Sequence, residues 1–368
     1  MRREGESPSP YSTILSMEIQ LLSAEYGDAI VIKTMAEGSP FTIVVDGGPE
    51  SSSIEVNKAL ASLDCINLMV LTHFDEDHIM GLIHYVESFK GKRMPVESFW
   101  CNCAQEIDMA EDTTISSTGY ENANTLAHCL RKQQEIDGTF SWKDNITNKI
   151  IPFIRGDLRI DVISPSVAVL TKLKREYNDY IITHPTWVDN DEEDPLIAKV
   201  NNNIDAGKTI DDLVKTDKPR IVNLWNQASI AFLLTAEGKR LLLLGDADAD
   251  IVADSIEQLI GKGNVLDVDL VKLSHHGSKH NISNRLLSMI RCNHYVISTC
   301  GGAVNWCHPD RKTLALILRS SNRDKSMPVY FYFNYPLQTV EQRTGTLISE
   351  EEKKRENCNL IEKNVISL

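Results

Sequence analysis

Apolar and polar positions alternate regularly in two regions of the chain, residues 17–101 and 229–334. The period of two predicts strands, and the longer amphipathic runs between polar turns predict helices. In the first region the predicted elements are strands 17–22, 29–34 and 41–45, a helix capped by residues 51–53 and ending at 63, strand 66–71, helix 79–89 and strand 96–101. The continuous apolar run of strand 66–71 indicates a strand that is buried on both faces.

The second region repeats this mixture. Its predicted elements are a hairpin of strands 229–235 and 239–244, helix 247–260, strand 268–273, helix 282–290, strand 294–299, helix 310–319 and strand 328–334. Two mixed halves of this kind predict two sheets sandwiched between helices.

The stretch between the two regions has a different character. Residues 104–220 contain helical pieces at about 121–136 and 166–178, a short strand near 160–163, and the acidic run Asp189–Asp194. We interpret this stretch as an insertion with solvated loops. Residues 1–16 are expected to be a disordered leader, residues 17–345 the folded domain, and residues 346–368 a charged, loose C-terminal tail.

The composition of the 368 residues narrows the classes of protein. The net charge of −14 excludes a simple basic nucleic-acid-binding module, and no apolar stretch approaches the roughly 20 residues of a membrane span. The eight cysteines contain no C-x-x-C pair, so we expect ordinary reduced thiols and a cytoplasmic protein without membrane contact.

The segment His73-x-Asp75-x-Asp77-His78 carries the most chemical information. Four side chains that can bind a metal lie within six positions, directly after the buried strand and before a helix. Two imidazoles and two carboxylates suit Mn²⁺, Zn²⁺ or Mg²⁺. Helix capping is the alternative explanation, but it accounts for one or two of the acids and not for a histidine on each side.

Three later segments also place polar side chains at predicted strand ends. Gly245-Asp246 provides one carboxylate, a pattern that turn chemistry alone also explains. His275-His276 places adjacent imidazoles after strand 268–273, and one or both are expected to face a site. His308 precedes helix 310–319, where a surface or capping role is the simpler alternative.

Together these segments resemble the metallo-β-lactamase-fold hydrolases. The form H-x-D-x-D-H, combined with Gly-Asp, Lys272-x-x-His275-His276-Gly-Ser and a late His-Pro, is similar to the ComEC-type hydrolase domain of the competence DNA-uptake channel. Further matches are Gly27-Asp28-Ala29, Asp46-Gly47-Gly48 and Asn226-x-x-Ser229. The resemblance covers about residues 17–100 and 221–320 and implies a four-layer αββα sandwich, a mixed α/β fold with residues 104–220 as a mainly helical and loop insertion.

The resemblance also implies a dinuclear site with two divalent metal ions. His73 and Asp75 would hold the first ion, Asp77 and His78 the second, and Asp246 would bridge them. His275 would complete the shell of the second ion. A third protein ligand for the first ion is not evident, although His128 and His184 lie in the right interval.

The expected chemistry is attack by a metal-bridging hydroxide on phosphorus or on a carbonyl carbon. Asp77 would also orient the nucleophile, His276 or His308 would act as general acid, and Lys272, His276 and Lys279 would contact phosphate. Residues 262–323 carry nine basic and three acidic residues, a net +6 that leaves −20 for the rest of the chain. Charge and carboxylate content together favour a phosphodiesterase or nuclease.

Two other functions remain open. One is a lactonase or thioesterase-type carbonyl hydrolase on the same fold. The other is a metal-bound interaction or effector subunit of a multiprotein system, which would bind a protein partner through residues 104–220.

Overall fold

The computed structural model describes residues 17–103, 119–183, 207–215, 222–303 and 306–368. Its strands, in chain order, are β1 (Glu18–Leu21), β2 (Ile30–Ala36), β3 (Ser39–Val45), β4 (Ile66–Val70), β5 (Val96–Trp100), β6 (Ser141–Lys143), β7 (Phe153–Arg155), β8 (Leu158–Ser164), β9 (Ala231–Ala236), β10 (Lys239–Leu243), β11 (Leu266–Asp267), β12 (Leu270–Lys272), β13 (Ile290–Arg291), β14 (His294–Ile297), β15 (Val329–Phe333), β16 (Cys358–Glu362) and β17 (Val365–Ser367).

The helices lie between and after these strands. In chain order they are α1 (Ser53–Leu60), α2 (Glu76–Glu87), α3 (Gly119–Ile136), α4 (Val167–Thr183), α5 (Ile210–Lys215), α6 (Leu224–Gln227), α7 (Ala249–Ile260), α8 (Asn284–Leu287), α9 (Arg311–Leu318), α10 (Leu337–Thr344) and α11 (Glu350–Glu356).

The described strands form two large sheets. The first has the order β17-β1-β2-β3-β4-β5-β6 and the second the order β16-β15-β14-β12-β10-β9-β8-β7. Each sheet combines antiparallel strands with a parallel set, β3 to β6 in the first and β10, β12 and β14 to β16 in the second. The strand pair β11 and β13 lies apart from both sheets.

Three apolar clusters define the layers. One lies between the sheets and joins residues such as Ile43 and Val70 of the first sheet to Phe232 and Leu243 of the second. The other two lie on the outer faces, where α1 to α4 cover the first sheet and α7 to α10 cover the second. The fold is therefore the four-layer αββα sandwich that the sequence predicts, because each sheet buries both of its faces.

Local sequence explains how helices follow the strands of the parallel sets. Asp248 caps α7 by accepting hydrogen bonds from the backbone N–H groups of Asp250 and Ile251, and Gly261 ends the helix at a φ of 85°. The preceding strand β10 pairs in parallel with β12, so the loops after both strands emerge at the same edge of the sheet.

The described parts of residues 104–220 are more closely integrated than an insertion of solvated loops. Strands β7 and β8 extend the second sheet, β6 extends the first, and α3 packs on α2. The alternation in Leu158–Ser164 buries Leu158, Ile160 and Val162 between the sheets. The acidic run 189–194 lies outside the described residues, as does the predicted leader 1–16.

The C-terminal segment is not a loose tail, so that expectation is wrong. Ser349 and Glu352 form a reciprocal capping box at the start of α11, and the two strands after this helix join different sheets. Strand β16 pairs with β15, and β17 pairs with β1. The high charge of the segment comes mainly from α11, in which all seven residues are charged, and the two short strands that follow were therefore not recognised in the sequence.

Within the described residues, no helix combines the length and apolar content that crossing a bilayer requires. All eight cysteines are described, and all are free thiols.

Candidate metal centre

The predicted ligand residues meet at one edge of the sandwich. His73 follows β4, Asp246 follows β10, and His275 and His276 follow β12, so the carboxyl ends of parallel strands deliver them to one place. Asp75 occupies the position before α2, yet its side chain accepts no hydrogen bond from the first turn of that helix. Helix capping therefore does not explain this carboxylate.

Three imidazoles are each held through Nδ1. In His78, Nδ1 lies 2.8 Å from an oxygen of Asp46, and in His276 it donates to the Ser298 carbonyl at 2.8 Å. In His73, Nδ1 lies 3.1 Å from Oγ1 of Thr72, whose own proton goes to Asp46. Because Nδ1 is used in this way, each Nε2 is left as the nitrogen that faces the cluster, the arrangement that orients metal-binding histidines.

The two carboxylate oxygens of Asp246 face two different groups of donor atoms. Oδ2 lies 3.8 Å from Nε2 of His73 and 3.6 Å from Nε2 of His275. Oδ1 lies 3.5 Å from Nε2 of His78. The carboxylate thus stands between the two groups.

Each group is completed by one aspartate of the H-x-D-x-D-H segment. Asp75 lies 3.3 Å from Nε2 of His73, which places it in the first group. Asp77 lies 3.8 Å from Nε2 of His78 and 3.2 Å from Nε2 of His276, which places both in the second group. The donor atoms of Asp77, His78 and His276 lie within 4.8 Å of one another, as do those of His73, His78 and Asp246.

The structure places the two adjacent histidines differently from the expectation that His275 completes the second group. His276, and not His275, lies beside Asp77 and His78, whereas His275 lies on the side of His73. Both residues have left-handed backbones, with φ values of 47° and 51°, and Gly277 follows at 88°. Strand alternation would point one of two consecutive side chains away from the cluster, whereas this unusual turn brings both to it, one to each donor group.

The electrostatics of the cluster favour positive charge at its centre. Burial alone would lower the pKa of His78, but Asp77, Asp246 and Asp46 raise it well above its usual range. Burial alone would raise the pKa of Asp246, but the surrounding histidines hold it well below its usual range. Burial lowers the pKa of His275 to about 4, so this imidazole is neutral near pH 7 and its Nε2 can act as a ligand.

The donor set fits divalent cations. Nε2 of His73, Nε2 of His78 and Oδ1 of Asp246 are buried and have no hydrogen-bond partner among the described residues. Leaving such atoms unpaired is unfavourable unless another group binds them. Donors held about 2.0–2.2 Å from one tetrahedral cation lie about 3.4 Å apart, which matches the separations of 3.2–3.8 Å seen here.

Lys272 does not lie where a substrate could reach it. Its side chain is buried and its ammonium group pairs with Asp28, which is buried as well. Burial would raise the pKa of Asp28, but Lys272 and His276 hold it well below its usual range. The prediction that Lys272 contacts phosphate is therefore wrong. The ion pair instead lies behind His276, on the side away from the donor cluster, where Asp28 is 3.5 Å from Nδ1 of His276.

His308 lies beside the first donor group. Its ring centre is 4.9 Å from that of His275, and its Nδ1 is 3.5 Å from Asp310. Asp310 also accepts hydrogen bonds from the backbone and ammonium groups of Lys279. Lys279 therefore fixes the segment that carries His308, and His276, with both nitrogens engaged, is a poor proton donor compared with His308.

The basic residues of 262–323 do not form an open cationic surface. At least six of the nine are ion-paired within the described structure, among them Arg285 with Asp254, Arg291 with Asp267 and Arg319 with Glu356. The charge argument for a phosphate substrate is weaker than the sequence suggests, because these cations are already neutralised by carboxylates, two of them inside residues 262–323 and four elsewhere in the chain.

Two residues important for the site had been noted in the sequence without a role. Asp46 joins His78 to the backbone and hydroxyl of Thr72, and its φ of 59° directs it into the cluster. Asp28 has the role described above. In both cases the sequence feature that could have indicated the role is an aspartate next to a glycine at a turn, in Gly27-Asp28 and in Asp46-Gly47. His128 lies on α3 and belongs to none of the candidate groups in the described residues, and His184 lies outside them.

No family model matches the chain, and no curated protein matches its sequence. Solved structures do resemble it. They include the metallo-β-lactamase fold protein YhfI from Bacillus subtilis, with 9% identity and a TM-score of 0.42 over 95% of this chain and 99% of that one. Zn²⁺-bound PqqB from Methylobacterium extorquens has 10% identity and a TM-score of 0.42 over 96% and 100%. Unliganded yeast PDE1 has 9% identity and a TM-score of 0.44 over 96% and 100%.

Proposed function

We propose that this protein is a metal-dependent hydrolase that cleaves phosphodiesters with a two-metal centre. One observation carries the proposal: the two oxygens of Asp246 each face a separate set of imidazole and carboxylate donors. A single structural ion would need one set of about four donors, whereas a bridging carboxylate between two sets is suited to a pair of ions.

The proposed ligands follow from the two groups. His73, Asp75 and His275 would hold the first ion, and Asp77, His78 and His276 would hold the second, with Asp246 between them. Four imidazoles with three carboxylates suit Zn²⁺ or Mn²⁺, with Mg²⁺ as a further option. In this proposal His275 would supply the third ligand of the first ion, for which the sequence offered no clear candidate.

When bound, two such ions lower the pKa of water and neutralise charge on a phosphoryl group. The chain's own residues orient the reactants. Asp75 and His275 have about a quarter of their side-chain surface exposed, so the centre is open to a substrate on the side of the first group. Asp77 is positioned to accept a proton or a hydrogen bond from the nucleophile, since His276 contacts only one of its oxygens.

His308 is the proposed general acid. It lies beside the open side of the centre, and Lys279 holds the nearby Asp310 through two hydrogen bonds, so that the segment keeps the ring where it can donate a proton to a leaving oxygen. An alkoxide leaving group needs a proton to depart as an alcohol, whereas 4-nitrophenolate departs without one. We therefore expect His308→Ala to impair the hydrolysis of alkyl esters more than that of nitrophenyl esters.

The test combines metal content with turnover. Wild type is expected to bind two equivalents of metal and to hydrolyse bis(4-nitrophenyl) phosphate with Mn²⁺ or Zn²⁺. Asp246→Asn keeps the shape of the side chain, yet it should lower bound metal and reduce kcat by at least about 100-fold. His84→Gln is the matched control, because His84 lies on α2 and bonds to Glu50 instead of to the cluster.

Other outcomes separate the alternatives. Turnover of lactones or thioesters without turnover of phosphodiesters would favour the carbonyl hydrolase, for which the four imidazoles are also suitable. Bound metal without turnover on any substrate would favour the effector subunit. Asp246→Asn with wild-type turnover would refute the site itself. The ComEC-type subgroup stays a prediction from the H-x-D-x-D-H motif.

A further inference from the structure

A cavity of about 400 Å³ lies next to the candidate metal centre. Glu25 and Tyr26 of the β1–β2 loop, the segment around Cys300 and Gly302, Trp306, and Arg343 of α10 line it. The volume is within the range of small-molecule sites. Three separate parts of the chain build this wall, and none of the lining residues belongs to the proposed metal ligands.

The cavity is in direct contact with the second donor group. The indole of Trp306 stacks on the ring of His276 at 5.8 Å between centres and 21° between planes. The ring of Tyr26 lies against the same indole, and its hydroxyl donates to Glu76, which stands between Asp75 and Asp77 in the chain. A molecule in the cavity therefore lies one ring away from the metal centre.

The wall is held in a defined shape. The backbone N–H of Glu25 donates to the Tyr335 hydroxyl, and the Glu25 carbonyl accepts a hydrogen bond from the N–H of Cys300. Ser51 donates to the Glu25 carboxylate at 2.6 Å. A wall fixed in this way loses little freedom when a ligand binds.

We propose that this cavity binds the nucleoside part of a phosphodiester substrate, which makes the protein selective for nucleotide esters. The inference rests on the proposed phosphodiester chemistry. The rings of Tyr26 and Trp306 lie at right angles with centres 5.9 Å apart, so together they offer a flat face and an edge to a planar base.

The charged groups of the wall suit the rest of a nucleotide. The Arg343 guanidinium is exposed and donates one N–H to the Ala303 carbonyl, which fixes its plane near the cavity. It adds positive charge on the approach of a phosphate. The Glu25 carboxylate is an acceptor for ribose hydroxyls or base amino groups.

The experiment compares two esters with the same leaving group in the metal-loaded protein. Thymidine 5′-(4-nitrophenyl) phosphate carries a nucleoside, and methyl 4-nitrophenyl phosphate does not. In wild type we expect kcat/KM for the nucleoside ester to be at least tenfold higher. Trp306→Leu should lower the ratio of the two kcat/KM values about tenfold. Trp306→Phe retains an aromatic ring and should retain most of the ratio.

The ratio cancels any effect of Trp306 on His276, because both substrates use the same centre. Arg343→Gln, a change on an exposed helix position, provides a second variant that should lower the ratio without altering the fold. Equal kcat/KM for the two esters in wild type would overturn the cavity proposal and leave the hydrolase proposal standing.

A binding measurement separates the two proposals if neither ester is hydrolysed. Calorimetry would compare adenosine 5′-monophosphate with ribose 5-phosphate, which has the phosphate and the sugar but no base. Binding of the first at least tenfold tighter, and its loss in Trp306→Leu, would support the cavity as a base site. Equal affinity for both would overturn it.

Discussion

Replacing Lys272 with methionine should destabilise the protein without changing how it binds a substrate. The substitution keeps the length of the side chain and removes the ammonium group that pairs with Asp28. Both residues are at most 2% exposed, so the remaining carboxylate cannot be solvated. The free energy of unfolding should fall because a buried charge has lost its main partner.

The magnitude follows from the contacts that remain. Breaking a buried ion pair costs about 3–5 kcal/mol. Asp28 keeps a contact with Nδ1 of His276 at 3.5 Å, which offsets part of this loss. We therefore expect Lys272→Met to reduce the unfolding free energy by about 2–4 kcal/mol.

Urea unfolding of four proteins measures the pair directly: wild type, Lys272→Met, Asp28→Asn and the double variant. The double variant should be more stable than the sum of the single effects by about 2 kcal/mol, because it leaves no unpaired charge. Lys239→Met is the matched control. Lys239 pairs with Asp269 at 3.4 Å on the surface, with both side chains more than a third exposed, so this change should cost less than about 1 kcal/mol.

Two results would refute the reasoning. Additive effects in the double variant would show that the two groups do not depend on each other. A Lys272→Met protein with wild-type stability and a KM raised tenfold would show that the ammonium group faces the substrate after all.

Three further predictions concern the rest of the molecule. Gly277→Ala should cost about 1–2 kcal/mol more than Gly238→Ala, since both have positive φ but only the former places a Cβ 2.7 Å from Pro309; urea midpoints check this, and equal midpoints would contradict it. A hydrogen bond from Arg319 lowers the pKa of Glu356 from 4.5 to about 2, so the stabilisation is complete above pH 4.5 and is lost as the pH falls towards 2. Glu356→Gln should therefore lose about 1–3 kcal/mol at pH 6 and progressively less below pH 4.5; a pH-independent difference would count against it. Dialysis against EDTA should lower Tm by several degrees through ligand linkage, and calorimetry that finds no change would argue against a bound ion.

The order of strands and helices in the two sheet regions could be predicted because the apolar pattern there is strong. Ile66–Val70 and the following α2 have the predicted type with ends shifted by a few residues. The two-residue strands β11 and β13 were missed because two positions are too few to establish a period. The strands of the last twenty residues were missed because they follow a helix in which every residue is charged.

The ligand residues could be predicted individually, but their grouping could not. His275 and His276 are adjacent, and strand alternation or a regular turn would give either of them the same claim to the second group. Their left-handed backbone conformations determine which histidine joins which group. Of the residues in the motif, only Gly277 is of a type that favours such a backbone conformation. The role of Lys272 was hidden for another reason, since its partner Asp28 lies 244 positions earlier in the chain.

The pairing of β17 with β1 joins residues near 18 and 367, almost the full length of the chain apart. During synthesis on the ribosome, the first sheet therefore has an unpaired edge at β1 until every other described strand has been made. An unpaired edge of this kind can associate with other chains. A protein whose synthesis stops before residue 365 should thus aggregate even though all proposed metal ligands are already present.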